Sequence, residues 1–340
     1  MMPQAPRPRL DDIDRTKGLA IVLVVLGHIV AREPPTDNAW YEYLKIGIYQ
    51  FHMSLFMYLS GITMFYSSAA TTSPPAYRRY LARRCMRFLA PFLLFGVLIV
   101  FGKIFAGTVI TVDRRPDSIS AGLMALFWNT HASPATSIWY LYVLFIYCAI
   151  VPPLMWLLRG RVEMLLALAA ALYWLPLPEY FYLERIGHFF IFFMLGGLAS
   201  QYLTPYQSFL DRWWWLCLAL FAASFALLLT GGDPSPHPIP SLRLLVIGML
   251  SLPALHALIR RPGWNKSPVL LFLGSYALVI YLFNTMFIGA TKGVMLHLMS
   301  WNGLHFLIFA PVLLLVGLIG PIVLKITVLR HIKPLDRMTT

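Results

Sequence analysis

The chain has 340 residues, of which 59% are hydrophobic and only 12% charged, and its formal net charge is +13. Soluble domains carry about 25% charged residues, so the composition excludes a soluble globular protein and predicts an all-α, polytopic membrane helix bundle. The basic excess does not indicate nucleic-acid binding, because the Lys and Arg residues lie in short loops between apolar segments.

The first apolar segment, DIDRTKGLAIVLVVLGHIV, carries an unusual stripe of ionisable residues. Lys17 and His28 are eleven residues apart, which on an α-helix is about three turns, so both lie on one face roughly 16 Å apart. Asp14 adds a carboxylate at the Lys17 end. Ionisable groups are costly within a bilayer, so we interpret the stripe as a functional site.

About ten transmembrane helices are predicted from the apolar segments. They cover 17–32, 43–66, 86–108, 136–158, 162–176, 186–203, 213–230, 241–259, 268–290 and 303–329. The fifth is short and ends at Pro176 and Pro178. This divides the chain into an N-terminal lead (1–16), a ten-helix membrane domain (17–330) and a C-terminal tail (331–340).

Loop charge predicts the orientation of the bundle. Placing the N-terminus in the cytoplasm puts nineteen of the 27 Lys and Arg residues on the inner side, as the positive-inside rule requires. We therefore expect both termini to be cytoplasmic and the chain to be a multi-pass protein of the inner cell membrane.

Two connecting segments also carry predictions. The outer connection 109–135 contains DRRPDS and the apolar stretch SAGLMALFW, which predicts a lid on the membrane surface or a re-entrant segment. The lead PQAPRPRL is followed by no small-residue cleavage site, so the first apolar segment is expected to remain as a helix.

His52, in YQFHMSLFMYLSG, is predicted near the same outer end as His28. If the first two helices are antiparallel neighbours, the two imidazoles share an outward-facing cavity, where a histidine can accept a proton from a hydroxyl. The alternative is that each imidazole only forms a hydrogen bond to a neighbouring helix.

The segment RRYLARRCMR supplies five arginines before the third helix. Guanidinium groups bind phosphates bidentately, so Arg83, Arg84 and Arg87 are candidate contacts for the phosphates of an acyl donor such as coenzyme A. The alternative is an ordinary topological signal that contacts anionic lipids.

Four further residues are candidates for an outer substrate cavity: Glu42, Trp139, Tyr140 and Asn284. Trp139 and Tyr140 also fit an interfacial aromatic belt, and Asn284 fits a hydrogen bond between helices. Ser60-Gly61 indicates close helix packing. No metal site or disulfide is predicted, because the three cysteines, Cys85, Cys148 and Cys217, lie in three different apolar segments.

These motifs together resemble the acyltransferase-3 family of integral membrane O-acyltransferases. DIDRTKGLAIVLVVLGH resembles the opening signature of that family, and further matches follow in order: FHMSLFMYLSGITMF, YLARRCMRFLAPFLLF, SIWYLYVLFIYCAIVP, HFFIFFMLGGL and LLFLGSYALVIYLFN. Lys17-Gly18 is similar to the branch of fucose O-acetylases, whereas many members carry arginine at this position and histidine where this chain has Asn284.

The resemblance implies transfer of an acyl group, most often acetyl, from cytoplasmic acyl-CoA to a hydroxyl of a glycan or another envelope molecule. Acyl-CoA is then a co-substrate, and no permanently bound cofactor is expected. We therefore interpret His28 as the general base on the acceptor hydroxyl and Asp14 and Lys17 as the donor-side pair, with His52 as a further candidate catalytic residue. The candidate donor-binding residues are Arg15, Arg83, Arg84 and Arg87.

Two other classes of function remain open on the residues alone. A transporter or flippase for a polar or lipid-linked substrate would also contain intramembrane charges, although no internal repeat supports it. A structural or assembly protein would not require an acid, a cation and a histidine on one stripe.

Overall fold

A computed structural model describes residues 8–30, 34–108, 112, 114–226 and 242–339. Its helices are α1 (Asp11–His28), α2 (Ala39–Tyr49), α3 (His52–Tyr66), α4 (Pro74–Arg84), α5 (Ala90–Ala106), α6 (Ile119–Ala125), α7 (Trp139–Leu157), α8 (Val162–Trp174), α9 (Leu183–Gln201), α10 (Leu203–Ser224), α11 (Leu242–Ile259), α12 (Pro268–Ser275), α13 (Ala277–Met295), α14 (Phe306–Thr327) and α15 (Lys333–Met338). Within these ranges the fold is helical, with one isolated β-bridge between Thr36 and Asn302.

Six helical segments of the described chain are long and apolar enough to cross a bilayer. They are Pro74–Ala106, Thr136–Leu157, Tyr180–Gln201, Leu242–Ile259, Ala277–Met295 and Gly303–His331. These six segments confirm a polytopic membrane protein.

Several predicted spans differ from the observed helices. The predicted span 43–66 is two helices, because the chain turns at Gln50 and Phe51 between α2 and α3. The span 268–290 is likewise divided at Tyr276. The fifth predicted span contains the short apolar helix α8, whose 13 residues extend only about 20 Å and which is not among the six segments long enough to cross. The predicted lid contains the short helix α6, which packs on α5.

Parts of several predictions lie outside the described residues: positions 1–7 of the lead, positions 31–32 of the first span with Arg32, positions 227–230 of the seventh span, position 241 of the eighth span and position 340 of the tail. The same holds for positions 109–111 and 113 of the predicted lid.

Helix α1 lies inside the bundle. It packs against α2, α3, α11, α12, α13 and α14. Five of its first seven residues are charged, yet the rest of the helix is apolar and largely buried. A helix that carries charges and is surrounded by other helices keeps those charges away from lipid.

Close helix contacts at glycines fix this arrangement. A Cβ on Gly18 of α1 would lie 2.0 Å from the carbonyl oxygen of Leu270, and one on Gly274 would lie 1.9 Å from that of Asp14. Gly61 and Gly196 make an equally tight reciprocal contact between α3 and α9, which confirms the predicted packing role of Ser60-Gly61. Any side chain at these positions would force the backbones apart.

Candidate functional site

The His28 imidazole lies at the C-terminal end of α1 and contacts α13. Its Nδ1 is 2.8 Å from the side-chain oxygen of Asn284, a fully buried residue. The Asn284 amide nitrogen donates to the carbonyl oxygens of Ile280 (2.8 Å) and Tyr281 (2.9 Å). The amide orientation is therefore fixed by its two acceptors, and its oxygen must face His28.

This orientation also fixes the tautomer of His28. An amide oxygen only accepts hydrogen bonds, so His28 Nδ1 carries a proton, and in the neutral imidazole Nε2 keeps its lone pair. A neutral imidazole with a free Nε2 is the form that a general base requires. The candidate role of Asn284 is thus to orient the imidazole.

Three side chains of α2 bind the end of α1 and hold His28 in place. Tyr41 donates its hydroxyl hydrogen to the carbonyl oxygen of Leu26, and Tyr49 donates to that of Gly27 at 3.0 Å. The ammonium of Lys45 donates to the carbonyl oxygen of Val30 at 2.6 Å. Tyr41, Lys45 and Tyr49 recur every four residues on one face of α2, and together they satisfy carbonyl groups that a helix end leaves without intrahelical partners.

His52 lies at the turn between α2 and α3, close enough to His28 for an electrostatic interaction. Its Nδ1 is 2.8 Å from the carbonyl oxygen of Ile48, and its ring centroid is 5.1 Å from that of Tyr49. Because a carbonyl oxygen only accepts, His52 Nδ1 is also protonated. The structure therefore places the two predicted histidines at the same end of α1.

Lys17 and Asp14 form an ion pair at the opposite end of α1. The Lys17 ammonium is 3.1 Å from one carboxylate oxygen of Asp14, and Arg9 is 2.5 Å from the other. The acid and the cation predicted together are thus in contact, and the tight crossing at Gly18 and Gly274 holds them against α12.

Asp12 binds a second cluster at this end that the sequence analysis did not find. One of its carboxylate oxygens accepts from Arg260 (2.7 Å) and Gln207 (3.0 Å), and it lies 3.4 Å from Nε2 of the fully buried His256. Burial raises the pKa of the Asp12 carboxyl, but His256 and Arg260 outweigh this effect and hold the pKa well below its usual range. The only sequence signal was the acidic run DDID, which does not reveal its partners.

The predicted donor-binding arginines occupy different environments. Arg87 lies in a π-helical turn, Cys85–Leu89, that joins α4 to α5; the residue is exposed, and its guanidinium is close enough to the buried Tyr140 and Cys148 to interact with them electrostatically. Arg84 lies over the ring of Tyr80 at 5.1 Å. Such π-helical turns are frequent at functional sites.

The other two predicted donor-binding residues, Arg83 and Arg15, have different surroundings. Arg83 is exposed. Arg15 contacts Asp11 (3.5 Å) and the carbonyl oxygen of Ser267 (3.4 Å).

A series of polar side-chain and backbone groups lies between Arg87 and His28. The hydroxyl of Tyr140, on the Arg87 side, is 2.6 Å from the hydroxyl of Ser60. The backbone N–H of Tyr140 donates to the hydroxyl of Tyr281 at 3.3 Å. Tyr281 lies one turn before Asn284 on α13, so contacts on four helices connect the arginine turn to the imidazole.

Of the four predicted substrate-cavity residues, three are buried in the bundle and one is exposed. Trp139 and Tyr140 are each only 8% exposed, so the prediction that they form a lipid-facing aromatic belt is wrong: both pack inside the bundle. Asn284 lies next to His28. Glu42 lies on the exposed side of α2.

Comparison with known proteins gives the family. A family profile described as "Acyltransferase domain", of the acyltransferase-3 type, matches residues 10–326. Over 97 residues the chain is 37% identical to the nodulation protein NolL of Sinorhizobium fredii, covering 27% of this chain and 25% of that protein. Over 88 residues it is 34% identical to NolL of Mesorhizobium japonicum, covering 25% and 22%.

The chain thus spans about a quarter of the length of these curated relatives. No solved structure matches the chain. The profile nevertheless covers the charged stripe, the arginine turn and Asn284 in one continuous match. Together with the membrane-spanning helices, this match shows that the chain belongs to the acyltransferase-3 family of membrane acyltransferases.

Proposed function

We propose that this protein transfers an acyl group, most simply acetyl, from cytoplasmic acyl-CoA to a hydroxyl of a carbohydrate or another envelope molecule. The observation that carries the proposal is the His28–Asn284 pair. A buried amide that points its oxygen at one imidazole nitrogen leaves the other nitrogen ready to accept a proton.

In the proposed reaction, His28 Nε2 removes the proton of the acceptor hydroxyl while the hydroxyl oxygen attacks the thioester carbonyl carbon. The new C–O bond forms and the C–S bond breaks, so that the acyl group becomes an ester and coenzyme A leaves as a thiolate. The proton then passes from the imidazolium to the thiolate. Asn284 accepts a hydrogen bond from Nδ1 throughout and stabilises the imidazolium.

The donor occupies the arginine side of the site in this proposal. Arg84 and Arg87 contact the phosphates of acyl-CoA, with Arg83 and Arg15 as further cations at that side. Among the described residues, the Lys17 ammonium is paired with Asp14, and its remaining N–H groups are available to acyl-CoA. The stripe of about 16 Å on α1 is comparable with the length of a pantetheine arm.

We also propose ten crossings of the inner cell membrane with both termini in the cytoplasm. The support is the asymmetry of loop charge, with nineteen of the 27 Lys and Arg residues on one side. In this orientation the Lys17 end of α1 faces the acyl-CoA pool, and the His28 end faces the acceptor.

Substitution of His28 tests the proposed base. In a strain that carries only His28→Ala, envelope glycans should lose their acyl mass, with transfer reduced by about 10² to 10⁴-fold, the usual contribution of general base catalysis. Mass spectrometry of the glycans measures this loss. His297→Ala is the matched control, because His297 is exposed and bonds only to its own helix. Full acylation by His28→Ala at normal protein levels would disprove the role of the base.

A further inference from the structure

Arg185, near the start of α9, carries a charge that the proposed mechanism does not use. Its guanidinium carbon is 4.7 Å from the ring centroid of Trp139 and 5.6 Å from that of Tyr182, and the residue is half-buried. An arginine stacked on aromatic rings keeps the N–H groups at its edge available for a planar anion.

Within the part of the chain that the structure describes, no carboxylate lies within ion-pair distance of Arg185 and none accepts a hydrogen bond from it; the adjacent Glu184 interacts with it only at longer range. The neighbouring carboxylate, Glu184, points elsewhere, with one oxygen 3.0 Å from His131 and the other 3.9 Å from His188. A half-buried guanidinium without an anionic partner is energetically costly unless a ligand supplies one.

A second cation lies beside Arg185. The two guanidinium groups of Arg114 and Arg185 are close enough to repel each other. Among the described residues, Arg114 donates a hydrogen bond to the hydroxyl of Thr136 at 2.5 Å. Two like charges held together favour the binding of an anion between them.

Both cations lie at the His28 end of α1. Arg185 interacts electrostatically with Tyr281, one turn before Asn284. Arg114 interacts in the same way with Tyr49, whose hydroxyl binds the carbonyl group beside His28. The donor arginine Arg87 approaches Tyr140 instead, on its Ser60 side.

We propose that Arg185, assisted by Arg114, binds an anionic group, a carboxylate or a phosphate, on the acceptor molecule and so brings its hydroxyl to His28. This inference rests on the proposed function and specifies it: the acceptor is an acidic or phosphorylated hydroxyl compound. Trp139 and Tyr182 hold the guanidinium plane, and its edge receives the anion.

Arginine-specific labelling tests this subsite without requiring turnover. The purified protein in detergent is treated with phenylglyoxal in the presence of D-glucuronate, D-glucose 6-phosphate or D-glucose at equal ionic strength, and peptide mass spectrometry reports each arginine separately. We expect one or both acidic sugars, but not glucose, to slow modification of Arg185 about tenfold, as one charge-assisted contact predicts.

Arg115 is the internal control, because it lies on the same connection as Arg114 but binds the carbonyl oxygen of Gly107. The rate at which phenylglyoxal modifies Arg115 should be the same with all three sugars. The acidic sugar that protects Arg185 more strongly, glucuronate or glucose 6-phosphate, identifies the anion as a carboxylate or a phosphate. Equal modification of Arg185 with all three sugars would overturn the proposal, as would an Arg185 that reacts only after unfolding.

Two variants separate this inference from the proposed function. Arg185→Gln should weaken acceptor binding and raise the KM for the acceptor about tenfold, while the KM for acyl-CoA stays the same. Arg185→Lys should recover part of the lost acceptor binding. His28→Ala should keep full protection of Arg185. If His28→Ala transfers the acyl group normally and its Arg185 is still protected, His28 is not the general base, but Arg185 still binds the anion.

Discussion

The two ends of α1 differ in how their charges are satisfied. At the N-terminal end, the carboxylates of Asp12 and Asp14 are paired with cations from their own helix, from the N-terminal lead and from α11. At the C-terminal end, His28 is hydrogen-bonded to a neutral amide, and Arg185 has no carboxylate within ion-pair distance among the described residues.

This difference indicates a division of labour along one helix. Paired charges between helices fix their relative positions, but their groups are already occupied. A neutral base whose orientation is fixed, next to a cation without a close ion pair, retains capacity for a substrate. We therefore expect substitutions at the Asp12 end to affect stability first, and substitutions at the His28 end to affect transfer first.

Asp12→Ala should have the largest effect on folding. It leaves Arg260 without one of its two carboxylates and removes the acceptor of Gln207, so we expect a loss of about 3 kcal/mol in the free energy of unfolding. Unfolding in detergent, followed by circular dichroism, measures it. Asp11→Ala is the control, because Asp11 is exposed and pairs only with Arg15. Equal stability of the two variants would contradict the comparison.

Asn284→Ala should act on transfer. Without the amide oxygen, His28 is free to adopt the other tautomer and to rotate, so we expect kcat to fall about 100-fold. Steady-state kinetics with acyl-CoA and the glycan acceptor measure this change, and Thr285→Val on the same helix is the control. A variant that loses folding rather than kcat would show that Asn284 serves packing alone.

Tyr49→Phe should have the smallest effect. It removes the hydrogen bond to the carbonyl oxygen of Gly27 and loosens the end of α1, at a cost of about 1 kcal/mol, so we expect transfer to fall about fivefold. The comparison variant is Tyr43→Phe, since Tyr43 lies on the same helix but is exposed. If both substitutions leave transfer unchanged, α2 does not position His28.

Part of the site was predictable because it lies within one helix. The spacing of Lys17 and His28, and the pairing of Asp14 with Lys17, follow from helical geometry alone. The assignment to the acyltransferase-3 family, made from the opening signature and the order of the later motifs, is confirmed by the match over residues 10–326.

Other features depend on contacts between distant segments. The turn at Gln50 and Phe51 has no glycine or proline to signal it, so 43–66 was predicted as a single helix. Trp139 and Tyr140 have the composition of an interfacial belt, but helix packing buries them. The residues near Asp12 and Arg185 in the chain do not reveal that the Asp12 carboxylate has three side-chain partners and that Arg185 has no close ion pair among the described residues.

The sequence by itself determined the membrane class, the stripe on α1 and the family, because hydropathy and helical period are local properties of the chain. Only the tertiary structure decided which nitrogen of His28 is free, since that depends on Asn284, 256 positions away, and on the carbonyl groups that orient its amide. Hydrogen-bond direction between helices is set by packing, which no local pattern encodes.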